Sequence, residues 1–167
     1  MSLIGFKARN DPQQIQTKGA NPKVDERATT QAVFGPLDER FRFTVDVAAS
    51  EENAKLDRYF DREADGLSRS WAGERVWCNP PYSDIRPWLE KAWAEQAELV
   101  VMLLPANRTE QGWWQDLVEP YRDQQGSRLR TEFVRGRTRF LALGALEIGP
   151  NERPPFGCVL LIWGEPE

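Results

Sequence analysis

Histidine is absent from all 167 residues. That removes Ser-His-Asp triads, imidazole metal ligands and imidazole general bases at once, so any chemistry here uses carboxylates, amides, hydroxyls or a cofactor. Cysteine is scarce: Cys78 and Cys158 are the only two, both in apolar runs and without metal-type spacing. They read as buried free thiols, and no metal site is expected. No apolar run approaches the roughly 20 residues that a membrane span needs. The opening "MSLIGFKARNDPQQ" also lacks an apolar signal core and cleavage site, so a cytoplasmic protein with no membrane partner is expected. Positive charge is not in excess either. The net charge of −4 argues against a chain coated in cations for nucleic-acid binding, yet between Gly126 and Phe140 five arginines (Arg128, Arg130, Arg135, Arg137, Arg139) face one acid, Glu132. A local basic patch binds phosphate even on an acidic protein.

A hydrophobic content of 40% in 167 residues suits one globular domain with a single core. Residues 1–24 are polar and without apolar period, and read as a mobile arm; 25–167 form the domain. "TTQAVFGPLDERF" spaces Val33, Phe34, Leu37 and Phe41 as a helix, with Thr29 or Thr30 as N-cap, against the disruptive Gly35-Pro36 pair. "FRFTVDVAA" alternates as a strand, and "VWC" is a short strand. Ile85, Trp88, Leu89, Ala92 and Trp93 form one apolar helical stripe, with Ser83 or Asp84 as N-cap and Pro87 in the first turn. "LVVMLLP" from Leu99 to Pro105 suits a strand buried on both faces. A short helix through "TEQGWWQDLVEPY" follows, its Trp113 and Trp114 reading as core and lid, then strands in "TEFVRGRTRFLAL" and "FGCVLLIW". The alternation predicts an α/β sheet, mostly parallel with an antiparallel edge, whose ligands bind beyond the carboxyl ends of the strands.

At one such end stands "VWCNPPYSDIRPWLEKAW". Pro80 and Pro81 donate no backbone N–H, and Asn79, preceding proline, is held extended. The result is a stiff turn presenting carbonyl oxygens, an amide and the ring of Tyr82. Such a turn suits alkylation of an exocyclic amine on a heteroaromatic ring, where the nitrogen lone pair is delocalised. Two acceptors on its N–H bonds draw the nitrogen toward sp³ and stabilise the charge that develops on attack. The Asn79 side-chain oxygen and the Pro80 carbonyl are two such acceptors, and an aromatic ring stacks on a base taken out of the duplex. No strong base is needed.

"NPPY" after an apolar strand resembles the motif of S-adenosylmethionine-dependent amino-methyltransferases. More narrowly, the order "DERATTQAVFGPLDERFRFTVDVAAS", "NAK", "YF", "DGL", "VWCNPPYS", "VVMLLPA", "VRGRTRF" resembles the small phage-type DNA N-6-adenine methyltransferase (Dam-like) family over roughly Asp25 to Phe140. The resemblance implies a compact Rossmann-like methyltransferase sheet, S-adenosylmethionine as cofactor, and double-stranded DNA as substrate, methylated directly on a flipped adenine. It places Asn79, Pro80, Pro81 and Tyr82 in the catalytic turn. Thr29 falls where the family contacts the methionine end of the cofactor. Asp46, Ala48, Ala49 and Ser50 fall in the loop passing close to the cofactor, and Asp65 with Leu67 in "DGL" falls where the cofactor's adenine amine is held. Arg135, Arg137 and Arg139 alternate with period two, so as one strand they share a face for DNA phosphates, with Arg108 as an addition.

The chain departs from the family pattern in three places. Arg27 and Thr30 stand where the family has Trp and Pro, "DVAAS" carries no glycine, and only 19 positions separate Asp46 from Asp65. The last implies an abbreviated cofactor half, with the ribose carboxylate open among Asp57, Asp61 and Glu63. Two other readings stand beside the leading one: the same chemistry on RNA adenine or protein glutamine, and an inactive DNA-binding domain on this fold. The short length leaves little room for a separate target-recognition domain, so a short recognition site or a partner subunit is expected.

Overall fold

The computed structural model describes residues 28–138, 140–141 and 156–164. The expected polar arm and Arg139 lie outside the described residues. Chain order is β1 (Ala28–Thr29), α1 (Gln31–Phe41), β2 (Val45–Asp46), β3 (Arg75–Cys78), α2 (Arg86–Ala94), β4 (Leu99–Pro105), α3 (Gly112–Leu117), β5 (Leu129–Phe133), β6 (Phe140–Leu141) and β7 (Cys158–Trp163).

Five strands form one sheet in the order β2-β3-β4-β7-β5, and β1 pairs with β6 in a separate two-stranded ribbon. β2, β3 and β4 are parallel, while β7 runs antiparallel to both β4 and β5. Four strands thus point one way. The antiparallel strand is not at the edge, as the sequence suggests, but one place in, because β7 inserts between β4 and β5. Beyond β2, Asp46 makes a parallel bridge to Tyr59. The chain therefore leaves β2 on one side and returns as β3 on the other, which makes the gap between the carboxyl ends of β2 and β3 a topological switch point.

β4 explains the continuous apolar run. Val100, Met102 and Leu104 face a cluster containing Trp88, Leu89 and Trp114 from α2 and α3. Leu99, Val101 and Leu103 face a second cluster with Phe34 and Phe41 of α1. Alternation is lost from the sequence because both faces are covered. On the α1 side Trp77 meets Phe34 edge-on, with ring centroids 5.2 Å apart, a favoured aromatic geometry.

Several boundaries differ from those the sequence predicts. α1 keeps Pro36 inside it, its apolar face outweighing one missing hydrogen bond. It begins after Thr30 without a side-chain cap and ends at Arg42, which takes a left-handed φ of 52°. α2 is preceded by Ile85 rather than capped by Ser83 or Asp84. The long strand expected from Thr131 to Leu143 is two strands in different sheets, β5 and β6, separated by a bend with Gly136 at φ 79°. Both cysteines are buried free thiols. Among the described residues no helix is long and apolar enough to cross a membrane.

Leu161, at the centre of β7, is fully buried between β4 and β5. Leu161→Ala is expected to lower unfolding free energy by about 2–5 kcal/mol, read as a reduced urea midpoint with an unchanged slope.

Candidate active site

A cleft of about 540 Å³ opens at the switch point, lined by Val47 to Glu51 after β2, by Phe60 to Glu63, by Asp65 and Gly66, and by Asn79, Pro81 and Trp88. That size and its mixed lining suit a drug-sized or cofactor-sized ligand. Two segments that the sequence places apart, "DVAAS" and "NPPY", meet here because β2 and β3 are adjacent and parallel.

The turn after β3 is fixed at several points. Asp84 N–H donates to the Pro81 carbonyl at 3.2 Å, closing the turn that leads into α2. The Tyr82 hydroxyl donates to the Leu103 carbonyl at 3.0 Å, and Phe156 meets its ring edge-on with centroids 6.2 Å apart. Burial pushes the Tyr82 phenol well above its ordinary pKa, so it remains a neutral donor. Arg108 donates from Nη1 to the Tyr82 carbonyl at 2.6 Å. The guanidinium expected among phosphate contacts thus braces the turn from outside. Asn79 Nδ2 donates to Thr29 Oγ1 at 3.1 Å, while Asn79 Oδ1 is buried without a partner. A buried acceptor left unpaired is costly, and this oxygen sits on a residue that lines the cleft.

Across the cleft the loop after β2 is held by Asp46. Its two carboxylate oxygens accept the N–H groups of Ala48 at 3.3 Å and Lys55 at 3.1 Å. Asp46 is 3% exposed, and burial raises its pKa to about 6 against the lowering effect of those N–H groups and the Lys55 charge. It does not line the cleft; it lies beneath the loop that does. Ala48, Ala49 and Ser50 line it directly, and Ser50 Oγ is a second buried oxygen without a partner. Residues 51–58 form turns and bends rather than a helix before the Tyr59 bridge, so this half is short, as the spacing of Asp46 and Asp65 implies. Of the three candidate ribose carboxylates, Asp61 and Glu63 border the cleft and Asp57 does not.

"DGL" closes the far wall. Asp65 adopts φ 49° and its side chain accepts the Leu67 N–H at 3.2 Å. Gly66, which sequence reasoning passes over, is the residue the packing dictates. A Cβ there would lie 1.9 Å from the Val47 carbonyl oxygen, and its own carbonyl accepts the buried Trp71 Nε1–H at 2.9 Å. Leu67 packs against the core instead of facing the cleft, and Thr29 likewise contacts Asn79 rather than the cleft. Phe60, although part of the quoted "YF" element, has no site role at the sequence level, and Trp88 and Phe156 are absent from that site because a single aromatic carries no motif.

Arg135 and Arg137 are exposed, but they flank the Gly136 bend and do not form one face of a strand. β5 points the same way as β4, so this bend follows the same end of the sheet as the Asn-Pro-Pro-Tyr turn. Among the described residues no cluster of three or more metal-ligating side chains is gathered.

Comparison with known proteins gives the family. The family model for DNA N-6-adenine-methyltransferase (Dam) matches residues 16–163, and the chain belongs to this family. It is 33% identical over 109 residues to a protein of Escherichia phage T1 named DNA N-6-adenine-methyltransferase, covering 62% of this chain and 42% of that one. A protein of the same name from Haemophilus phage HP1 is 33% identical over 97 residues, 54% of this chain and 56% of its own length. The chain thus spans about half the length of the curated relatives it matches.

Two measurements follow from the cleft. The Asp46 carboxyl carbon should titrate by NMR near pH 6 rather than near its ordinary 3.8. Because the folded pKa is raised, the stability that Asp46 contributes is full below pH 3.8 and lost as pH rises through 6, a difference of about 3 kcal/mol. Gly66→Ala should lower stability by about 1–3 kcal/mol or more and weaken ligand binding in the cleft, read by thermal melting and calorimetry.

Proposed function

We propose that this chain transfers a methyl group from S-adenosylmethionine to the exocyclic amine of adenine in double-stranded DNA, on a Rossmann-like methyltransferase sheet. The observation that carries the reading is the buried, partnerless Asn79 Oδ1 at a cleft shared with the loop after β2. The family and the names of its phage relatives point the same way.

The cleft fits such a cofactor. Ser50 Oγ is an unpaired buried polar atom, the alanines of the loop allow close approach, and Gly66 keeps the far wall clear of a side chain. Ala48, Ala49, Ser50 and Asp65 would hold the cofactor, with Asp61, half-buried and bordering the cleft, as the ribose carboxylate. When bound, the sulfonium supplies an electrophilic methyl group.

The chain's own residues act on the acceptor. Asn79 Oδ1 and the Pro80 carbonyl accept the two N–H bonds of the amine, shift its lone pair out of conjugation, and stabilise the positive charge that grows as the nitrogen attacks. The Tyr82 ring stacks on the extruded base, its orientation set by Leu103 and Arg108. Arg135 and Arg137 contact phosphates, and Arg108 serves mainly to position the turn. Transfer would be direct, with no covalent intermediate on the protein: the N–CH₃ bond forms as the S–CH₃ bond breaks, the cofactor would leave as the neutral sulfide S-adenosylhomocysteine, and the surplus N–H proton passes to solvent without an imidazole base.

Labelled cofactor and the full chain should methylate adenine-containing duplex DNA in preference to RNA or glutamine peptides, and Asn79→Ala should lower transfer by about 100-fold or more while the protein stays folded. Undiminished transfer by Asn79→Ala would refute the acceptor role, and preference for RNA or peptide would move the substrate.

A further inference from the structure

Thr29 stands out as a buried polar residue that the cleft does not use. It is 1% exposed, does not line the cavity, and its hydroxyl oxygen is the acceptor for Asn79 Nδ2 at 3.1 Å. Its backbone is anchored from the far end of the chain, for Thr29 pairs with Phe140 in the β1–β6 ribbon. Asn79 carries a carbonyl oxygen and an NH₂ group of nearly the same size, and rotating the amide by half a turn exchanges them. Only one orientation serves an amine substrate. With the NH₂ turned into the site, substrate N–H bonds would meet N–H donors, and no acceptor would be present. The prolines fix the backbone and not the χ2 angle of Asn79, so the rigidity of the amide depends on what its side chain bonds.

We infer that Thr29 is a positioning residue for Asn79: its hydroxyl, bonded to Nδ2 at 3.1 Å, pins the χ2 rotation of the amide and so steadies the arrangement in which Oδ1 lies at the other end. The inference rests on the proposed acceptor role of Asn79 and deepens it. It also departs from the position the family resemblance gives Thr29, beside the methionine end of the cofactor, and the two assignments predict different kinetic signatures. A cofactor contact, when removed, weakens cofactor binding. An orienting group, when removed, leaves cofactor binding intact and lowers turnover, because the amide is then held less rigidly in the productive geometry.

The test compares Thr29→Val, which keeps the shape and removes the acceptor, with Thr29→Ser, which keeps the acceptor, in the full chain. Thr29→Val should lower kcat on duplex DNA by about tenfold, the equivalent of one hydrogen bond, with the Kd for S-adenosylhomocysteine by calorimetry within about twofold of wild type. Thr29→Ser should restore kcat. The Asn79 side-chain NH₂ protons should exchange slowly with solvent in wild type and Thr29→Ser, and rapidly in Thr29→Val. Thr29→Ala, which has no methyl groups to accommodate, is carried through the same measurements as a check on folding. Full turnover by both Thr29→Val and Thr29→Ala, or a loss that falls on cofactor Kd while kcat at saturating cofactor is unchanged, would overturn the inference. Failure of the underlying acceptor role is read separately, as undiminished transfer by Asn79→Ala.

Discussion

The functional half of this protein hangs on a pairing two residues long. Val45 opposite Val76 and Asp46 opposite Trp77 bring the ends of β2 and β3 level, and the Val47 N–H extends the ladder by donating to the Trp77 carbonyl at 3.1 Å. From there the two chains diverge, one into the alanine loop and the other into the proline turn, and the gap between them is the cleft. So short a ladder would not hold by itself. It is kept in place by β4 and β7, whose side chains are buried on both faces, and by the Phe34, Phe43 and Trp77 rings packed over β3.

Electrostatics in the cleft follow from the same economy of parts. Without histidine, the chain places a single carboxylate under the loop and gives it two backbone N–H groups for company. Burial dominates, and Asp46 is left with a pKa of about 6. On the opposite wall no group needs to titrate. The donors of the turn, Asn79 Nδ2 and the Tyr82 hydroxyl, are taken up by Thr29 and Leu103, which leaves Asn79 Oδ1 as its unpartnered polar atom among the described residues.

Much of this was legible in the residues. The two-sided strand 99–105 announces itself by an unbroken apolar run, and Asn79 to Tyr82 by proline chemistry. Other features were not legible, for physical reasons. Gly136 breaks what looks like one strand with alternating arginines, because local periodicity does not register a left-handed φ. β7 enters between β4 and β5 instead of at the margin, a choice made by long-range packing that no window of sequence contains. Gly66 looks like an ordinary turn glycine until the Val47 carbonyl is placed against it. The bond from Arg108 Nη1 to the Tyr82 carbonyl joins residues 26 positions apart, and no local pattern signals it.

The β1–β6 ribbon sets the order in which the molecule becomes complete. Thr29 is among the first described residues to be synthesised, and its strand partner Phe140 comes long after the proline turn. Contacts so far apart in sequence form late, since their loop closure is repaid only when the intervening sheet exists. β2, β3 and β4 follow one another along the chain and assemble from nearer neighbours. On a growing polypeptide the proline turn is therefore made before Phe140, and the β1–β6 pairing that holds Thr29 beside Asn79 comes after it.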